Sequence, residues 1–107
     1  MAKIASIRRE ISAFSDRAEE LTARAQKLKR KGELRRAVVS LREACAIDEQ
    51  DAVRWMLLGD VLCRAGKKDE ASRAMKQALY LRERSGDRAR ANAIRRILLN
   101  LGRIRVG

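Results

Sequence analysis

Apolar residues recur at helical spacing along most of this chain. Near the N-terminus they fall alternately three and four positions apart, a heptad rhythm that predicts helix. Its members are Ile4, Ile7, Ile11, Phe14, Ala18, Leu21, Ala25 and Leu28. The pattern permits one helix over about residues 3–31. It also permits a separate first helix that ends near Ser15, with Asp16 and Glu19 forming a capping box for the next helix.

A second apolar stripe lies near the C-terminus and predicts an amphipathic helix over residues 88–101, with Asp87 at its start. Its members are Ala91, Ile94, Ile97, Leu98 and Leu101, with Ala93 in a small-residue position. This helix either caps the fold or docks against another chain. Proline is absent from the 107 residues, and no segment alternates apolar and polar residues over the length of a strand. The sequence therefore predicts one all-α domain.

The middle of the chain repeats itself with a shift of 34 residues. The matching pairs are Leu21/Trp55, Ala25/Gly59, Leu28/Leu62, Gly32/Gly66, Ala37/Ala71, Leu41/Met75 and Ala44/Ala78. Small residues at such positions permit two helices of a hairpin to cross closely, while the large residues fill the adjacent grooves. Gly32 and Gly66 suit helix ends that need a left-handed backbone, and Asp51 is a candidate N-cap for the third helix.

From Trp55 the chain reads Trp-x2-Leu-Gly-x2-Leu, followed by Ala71, Met75 and Ala78. This spacing resembles the consensus of the tetratricopeptide repeat (TPR) family. The residues that carry the resemblance are Ala25, Leu28, Ala37, Leu41, Ala44, Trp55, Leu58, Gly59, Leu62, Ala71, Met75 and Ala78.

The resemblance implies a short TPR-type α-solenoid that forms a single TPR-like domain over residues 1–107. In this division, residues 18–51 and 52–85 are the two repeats. An N-terminal helix at 1–16, a capping helix at 87–101 and a basic tail at 102–107 flank them. Because about three repeats are usually needed for stability, deleting residues 1–15 should cause unfolding or a change of oligomeric state.

TPR domains are non-catalytic adaptors that hold a peptide or helix in a concave groove. The resemblance places Thr22, Gln26, Lys29, Arg30, Val53, Met56, Asp60, Cys63, Arg64, Arg90 and Ile94 along that groove. This mixed surface suits an acidic peptide with apolar anchors. One TPR subgroup clamps the acidic tails of chaperones with Lys, Asn and Arg side chains. The corresponding positions here carry Thr22, Gln26, Leu57, Asp87 and Ala91, so that ligand is not expected.

The formal net charge of +12 is concentrated in residues 52–107, which have 14 basic and five acidic side chains. Basic clusters occur at residues 27–31, 67–68 and 95–96, with Arg103 and Arg105 beyond. Such clusters are most often a solvated face. They also favour an acidic protein partner or, less strongly, nucleic acid, which would be bound through phosphates alone because aromatic residues are scarce.

The apolar stripe from Ile4 to Phe14 has three interpretations. It can cover the exposed face of the first repeat, or it can mediate self-association, so that the protein is a homo-oligomer through this helix or the C-terminal one. The flanking heptad positions lack the charge pairs of a parallel coiled coil. With Lys3, Arg8 and Arg9 nearby, the stripe can also lie on a membrane surface, which is the least favoured interpretation.

No catalytic constellation is present, since the chain has no histidine and no hydroxyl side chain lies near a base. We therefore expect a protein that is not an enzyme and that needs no cofactor and no metal. Cys45 is expected to be buried, and Cys63 to face the groove without forming a disulfide with it. Without an apolar leader or a membrane span, a cytoplasmic protein with reduced thiols is expected.

Overall fold

The computed structural model describes residues 2–104, without the side chains of residues 2–5, 11 and 104. This part of the chain forms five helices and no strand, so the predicted all-α class is confirmed. The helices are α1 (Ala2–Arg30), α2 (Leu34–Ile47), α3 (Ala52–Arg64), α4 (Lys68–Arg84) and α5 (Arg88–Ile104). Each helix packs against the next one in the chain, which produces an elongated molecule of 60 × 35 × 17 Å. Residues 105–107 of the expected basic tail lie outside the described residues.

The N-terminal apolar stripe belongs to one continuous helix of 29 residues. Ser15 and Asp16 lie inside α1, so the capping box expected at Asp16 and Glu19 is wrong. The physical reason is that neither residue breaks a helix. Both are exposed, so that their polar side chains remain hydrated while the heptad pattern continues beneath them.

Three helices end in the same turn, built around a glycine with positive φ. Gly32 and Gly66 have φ angles of 80° and 79°, which confirms their predicted role as helix ends. Gly86, which the sequence analysis did not single out, has a φ of 77°. In each turn the next residue donates its N–H to the carbonyl five positions back, as in a Schellman motif. These hydrogen bonds are Glu33 to Leu28, Lys67 to Leu62 and Asp87 to Arg82, at 2.8–2.9 Å.

The core consists of two apolar clusters, the first centred on Leu41 and Leu62, and the second on Met75 and Ile94. Trp55 and Cys63 pack against both clusters and connect them. Most positions 34 residues apart have the same environment. The pairs Ala25/Gly59, Leu28/Leu62, Ala37/Ala71, Leu41/Met75 and Ala44/Ala78 are all buried. The repetition in the sequence therefore corresponds to a repetition in packing.

The correspondence breaks down between α4 and α5. Helix α4 has 17 residues, whereas α2 has 14, so α4 continues for almost one further turn before α5 begins. The face of α5 that packs against α4 consequently differs from the one expected. Ile94, expected in the groove, is only 4% exposed and belongs to the second cluster, whereas Ala93, expected at a close crossing, is exposed.

The first turns of α1 project beyond the rest of the molecule. An Arg17–Glu43 ion pair at 4.0 Å fixes how α1 lies against α2 and places the end of α2 near Ala13. The described side chains of residues 6–10 and 12–17 are all exposed, including Ile7 at 53% and Phe14 at 60%. The interpretation that this segment covers the first hairpin is therefore wrong. We call residues 2–12 the α1 overhang.

Candidate protein-binding face

Helices α1 and α3 are joined side by side by two polar contacts between their side chains. Lys29 Nζ lies 2.9 Å from Asp60 Oδ2, and Arg54 Nε donates to Thr22 Oγ1 at 3.0 Å. These contacts bring together the predicted groove positions of the two helices. We call the surface formed by Thr22, Gln26, Lys29, Arg30, Val53, Met56, Asp60, Cys63 and Arg64 the α1/α3 face.

Asp60 is the electrostatic centre of the α1/α3 face. Its carboxylate pairs with Lys29 and also accepts a hydrogen bond from Arg64 Nε at 3.2 Å. Burial of Asp60 disfavours its charge, but the hydrogen bond and charge of Lys29, together with Arg64, outweigh burial and lower the pKa of Asp60. Asp60 thus neutralises part of the positive charge, while Arg30 at the end of α1 is exposed and has no ion pair among the described residues.

This pairing predicts an acid-dependent contribution to stability. The ordinary pKa of Asp60 is 3.8, and the folded protein holds it lower. The stabilisation is therefore fully present above the ordinary value and is lost as the pH falls through the folded pKa. We expect Asp60→Asn to make urea-derived unfolding free energies decline less steeply below about pH 4. Lys29→Met should have the same effect, and an acid limb identical to wild type in both variants would contradict this assignment.

Arg54 is a functional position that the sequence analysis missed. It is only 9% exposed, and its guanidinium lies 2.9 Å from both Asp48 Oδ2 and Asp51 Oδ2. Asp51 also accepts hydrogen bonds from the N–H groups of Val53 and Arg54, which confirms it as the N-cap of α3. The detectable signal was the spacing Asp-x-x-Arg at the start of α3, which recurs as Asp87 and Arg90 at the start of α5.

The Arg54 contacts remove Thr22 from the set of available ligand-binding groups. Its hydroxyl donates to the carbonyl of Ala18 at 2.7 Å and accepts from Arg54 Nε. A hydroxyl satisfied on both sides has little to offer a ligand. Thr22 therefore supports the α1/α3 face by fixing the distance between its two helices.

The apolar part of the face lies on α3. Val53 is 53% exposed, whereas Met56 and Cys63 are half-buried against the apolar clusters. Val53 borders an open cleft of about 430 Å³ that also includes Asp48, Leu81 and Arg82. An apolar side chain of a partner could enter this cleft beside Val53.

The expected extension of this surface onto α5 is not made by the predicted residues. Arg90 is exposed and pairs with Asp87 at 2.8 Å, which together with a backbone hydrogen bond lowers the pKa of Asp87. Ile94 is buried in the second cluster. The α1/α3 face consequently comprises only α1 and α3 contributions.

The two cysteines are free and differ in accessibility. Cys45 is buried as predicted, and burial raises the pKa of its thiol to about 12. Cys63 is half-buried, and burial, with a smaller contribution from Asp60, raises its pKa as well. Because the thiolate is the reactive form, both thiols should react slowly.

This difference predicts the order in which the thiols are labelled. In native protein at neutral pH, iodoacetamide should modify Cys63 first, and Cys45 only through global unfolding. Peptide mass spectrometry over a time course measures both rates, and Cys63→Ser gives the rate of Cys45 alone. Labelling of Cys45 at a rate that is independent of added urea would contradict its placement in the core.

Comparisons with known proteins leave the family of this chain open, since no family model matches it and no curated protein matches it. Within residues 2–104, no group of three or more potential metal-ligating side chains is found. None of the helices described is both long enough and apolar enough to cross a membrane.

Proposed function

We propose that this protein is a non-catalytic, TPR-like adaptor that binds an acidic segment of another protein along its α1/α3 face. The TPR-type arrangement is supported by the matched burial of positions 34 residues apart and by the identical glycine turns after α1 and α3. The absence of histidine and of a paired nucleophile and base supports the non-catalytic part of the proposal.

The observation that carries the proposal is the meeting of α1 and α3 through Lys29 and Asp60, with an apolar and a basic region on the same face. Val53 offers an exposed apolar contact at the start of α3. Arg30 and its neighbours Lys27 and Lys31 are exposed at the end of α1, and none has an ion pair among the described residues. An acidic segment with one apolar anchor fits this combination.

The test compares matched variants in affinity capture from nuclease-treated lysate. Arg30→Glu and Val53→Glu change exposed side chains of the α1/α3 face, so neither should disturb the core. Arg73→Glu is the control, because Arg73 is exposed on α4 and borders a different cleft. We expect wild type and the control to retain the same proteins and both face variants to lose them. Identical retention by all four proteins would contradict the assignment of this face.

A second candidate function is nucleic-acid binding through α5. This helix contains five arginines and no acidic residue. Arg90 and Arg95 are engaged by Asp87 and Glu83, but Arg88, Arg96 and Arg103 have no ion pair within the described region. Binding of this type would be removed by nuclease and would fall steeply as salt increases, because it rests on phosphate contacts. Retention that survives nuclease favours the adaptor.

A further inference from the structure

We propose that two copies of this protein associate through their α1 overhangs, which pair in antiparallel orientation. This inference is independent of peptide binding on the α1/α3 face. It rests on three observations: an unpartnered apolar stripe, the position of that stripe relative to α2, and the segregation of charge along α1.

The stripe is the continuation of the surface that α1 uses to pack on α2. Ala18, Leu21, Ala25 and Leu28 are buried against the first hairpin, and Ile7 and Phe14 lie on the same heptad positions further towards the N-terminus. Positions 4 and 11 of this rhythm also carry isoleucine in the sequence. Beyond the end of α2, however, Ile7 and Phe14 are more than half exposed.

The free space beside the overhang lies in line with α2. A helix placed there extends the axis of α2 and therefore runs antiparallel to α1, as α2 does. The overhang of a second copy meets this requirement in a symmetric pair, because each overhang then occupies the space beyond the α2 of the other copy. Each overhang of about 11 residues spans roughly 16 Å, enough for about two layers on each helix.

Charge favours the same orientation. Residues 2–9 carry three basic and no acidic side chains, whereas residues 10–20 carry four acidic and one basic. Antiparallel pairing brings the basic tip of one copy towards the acidic segment of the other, but parallel pairing brings like charges together. The first turn of α1 contains no acidic residue and the last turn of α2 no basic one, so neither helix dipole is compensated within its own helix. The tip of one copy would approach the end of the other copy's α2, near the exposed Glu43 and Glu49, where these opposite ends attract.

The test measures mass by sedimentation equilibrium from low-micromolar to millimolar protein. We expect wild type to convert from monomer to dimer with concentration and Ile7→Glu/Phe14→Glu to remain monomeric. Ala13→Glu is the matched control, because Ala13 is exposed on α1 outside the stripe, and this variant should still dimerise. Deletion of residues 2–12 should also abolish the dimer and leave the melting temperature of the monomer unchanged.

Orientation is tested by reversing the charge of the tip. Arg8→Glu/Arg9→Glu should weaken dimerisation at least about tenfold in the antiparallel pair, and Glu19→Lys/Glu20→Lys in the same chain should restore it. In a parallel pair the tips repel whichever sign they carry, so reversal would leave the dissociation constant unchanged and overturn the proposed orientation. A wild-type chain that stays monomeric at millimolar concentration, or a dimer that survives Ile7→Glu/Phe14→Glu, would overturn the interface itself.

Discussion

Replacement of Gly59 by leucine should destabilise the protein by about 3 kcal/mol, because the residue lies where α3 crosses α4 most closely. A Cβ at position 59 would lie 2.7 Å from Met75 Cγ, 3.1 Å from Met75 Cε and 3.4 Å from the backbone carbonyl of Ala71. Met75 is itself buried, so its Cγ cannot move aside freely. The gain of about 1 kcal/mol from removing a glycine inside a helix offsets only part of this cost.

The measurement is urea unfolding followed by circular dichroism, with Gly102→Leu as the matched control. Gly102 also lies in a helix, but a Cβ there meets nothing within 4 Å. We expect the control to be neutral or slightly stabilising. A second arm combines Gly59→Leu with Met75→Ala, and the combined loss should be smaller than the sum of the single losses by more than about 1 kcal/mol. A loss below about 1 kcal/mol for Gly59→Leu alone would show that the crossing is not tight.

The helical fold and its close crossings could be predicted because they depend on local and periodic features. Small residues at Ala37, Ala71, Ala44 and Ala78 are fully buried, as their 34-residue spacing indicated. Glycine at a helix end is similarly local, since its role depends only on the backbone conformation of one residue. Both kinds of signal are present in the order of the residues alone.

The orientation of α5 could not be predicted from the same repetition. It depends on where α4 ends, and α4 continues to Arg84 because nothing in its last turn breaks the helix before Gly86. An added turn rotates everything that follows, so Ile94 enters the core although its counterpart Asp60 is partly exposed. The repeat alignment carried no information about this shift.

The α1/α3 face was predictable as a location but not as a set of available groups. Spacing placed Lys29 and Asp60 on one surface, but only the geometry revealed that they pair with each other. Likewise, Thr22 is engaged by Arg54, a residue that a hydrophobic pattern marks as polar and exposed. Long side chains choose partners across helices, and such choices depend on interhelical distance.

Removal of both carboxylates around Arg54 should cost about 3 kcal/mol, which is a large part of the stability of a small domain. In Asp48→Ala/Asp51→Ala the guanidinium loses both ion pairs, each of 2.9 Å, while it remains buried. The N-cap of α3 is lost as well, which costs about 1 kcal/mol of the total. Adding Arg54→Met should recover about 1 kcal/mol or more, because it removes the uncompensated charge and keeps most of the volume.

Two single variants separate the charge from the cap. Asp51→Asn keeps an oxygen that can accept from the N–H of Val53 and should cost less than Asp51→Ala. Asp87→Ala at the start of α5 is the matched control: Asp87 also caps a helix and pairs with an arginine, but Arg90 is exposed, so the loss should be limited to about 1 kcal/mol. Equal losses for Asp51→Ala and Asp87→Ala would mean that burial of Arg54 adds nothing to the pair. A larger loss for Asp51→Ala, partly recovered by Arg54→Met, is the result expected if α1 and α3 are held together by a buried and fully partnered arginine.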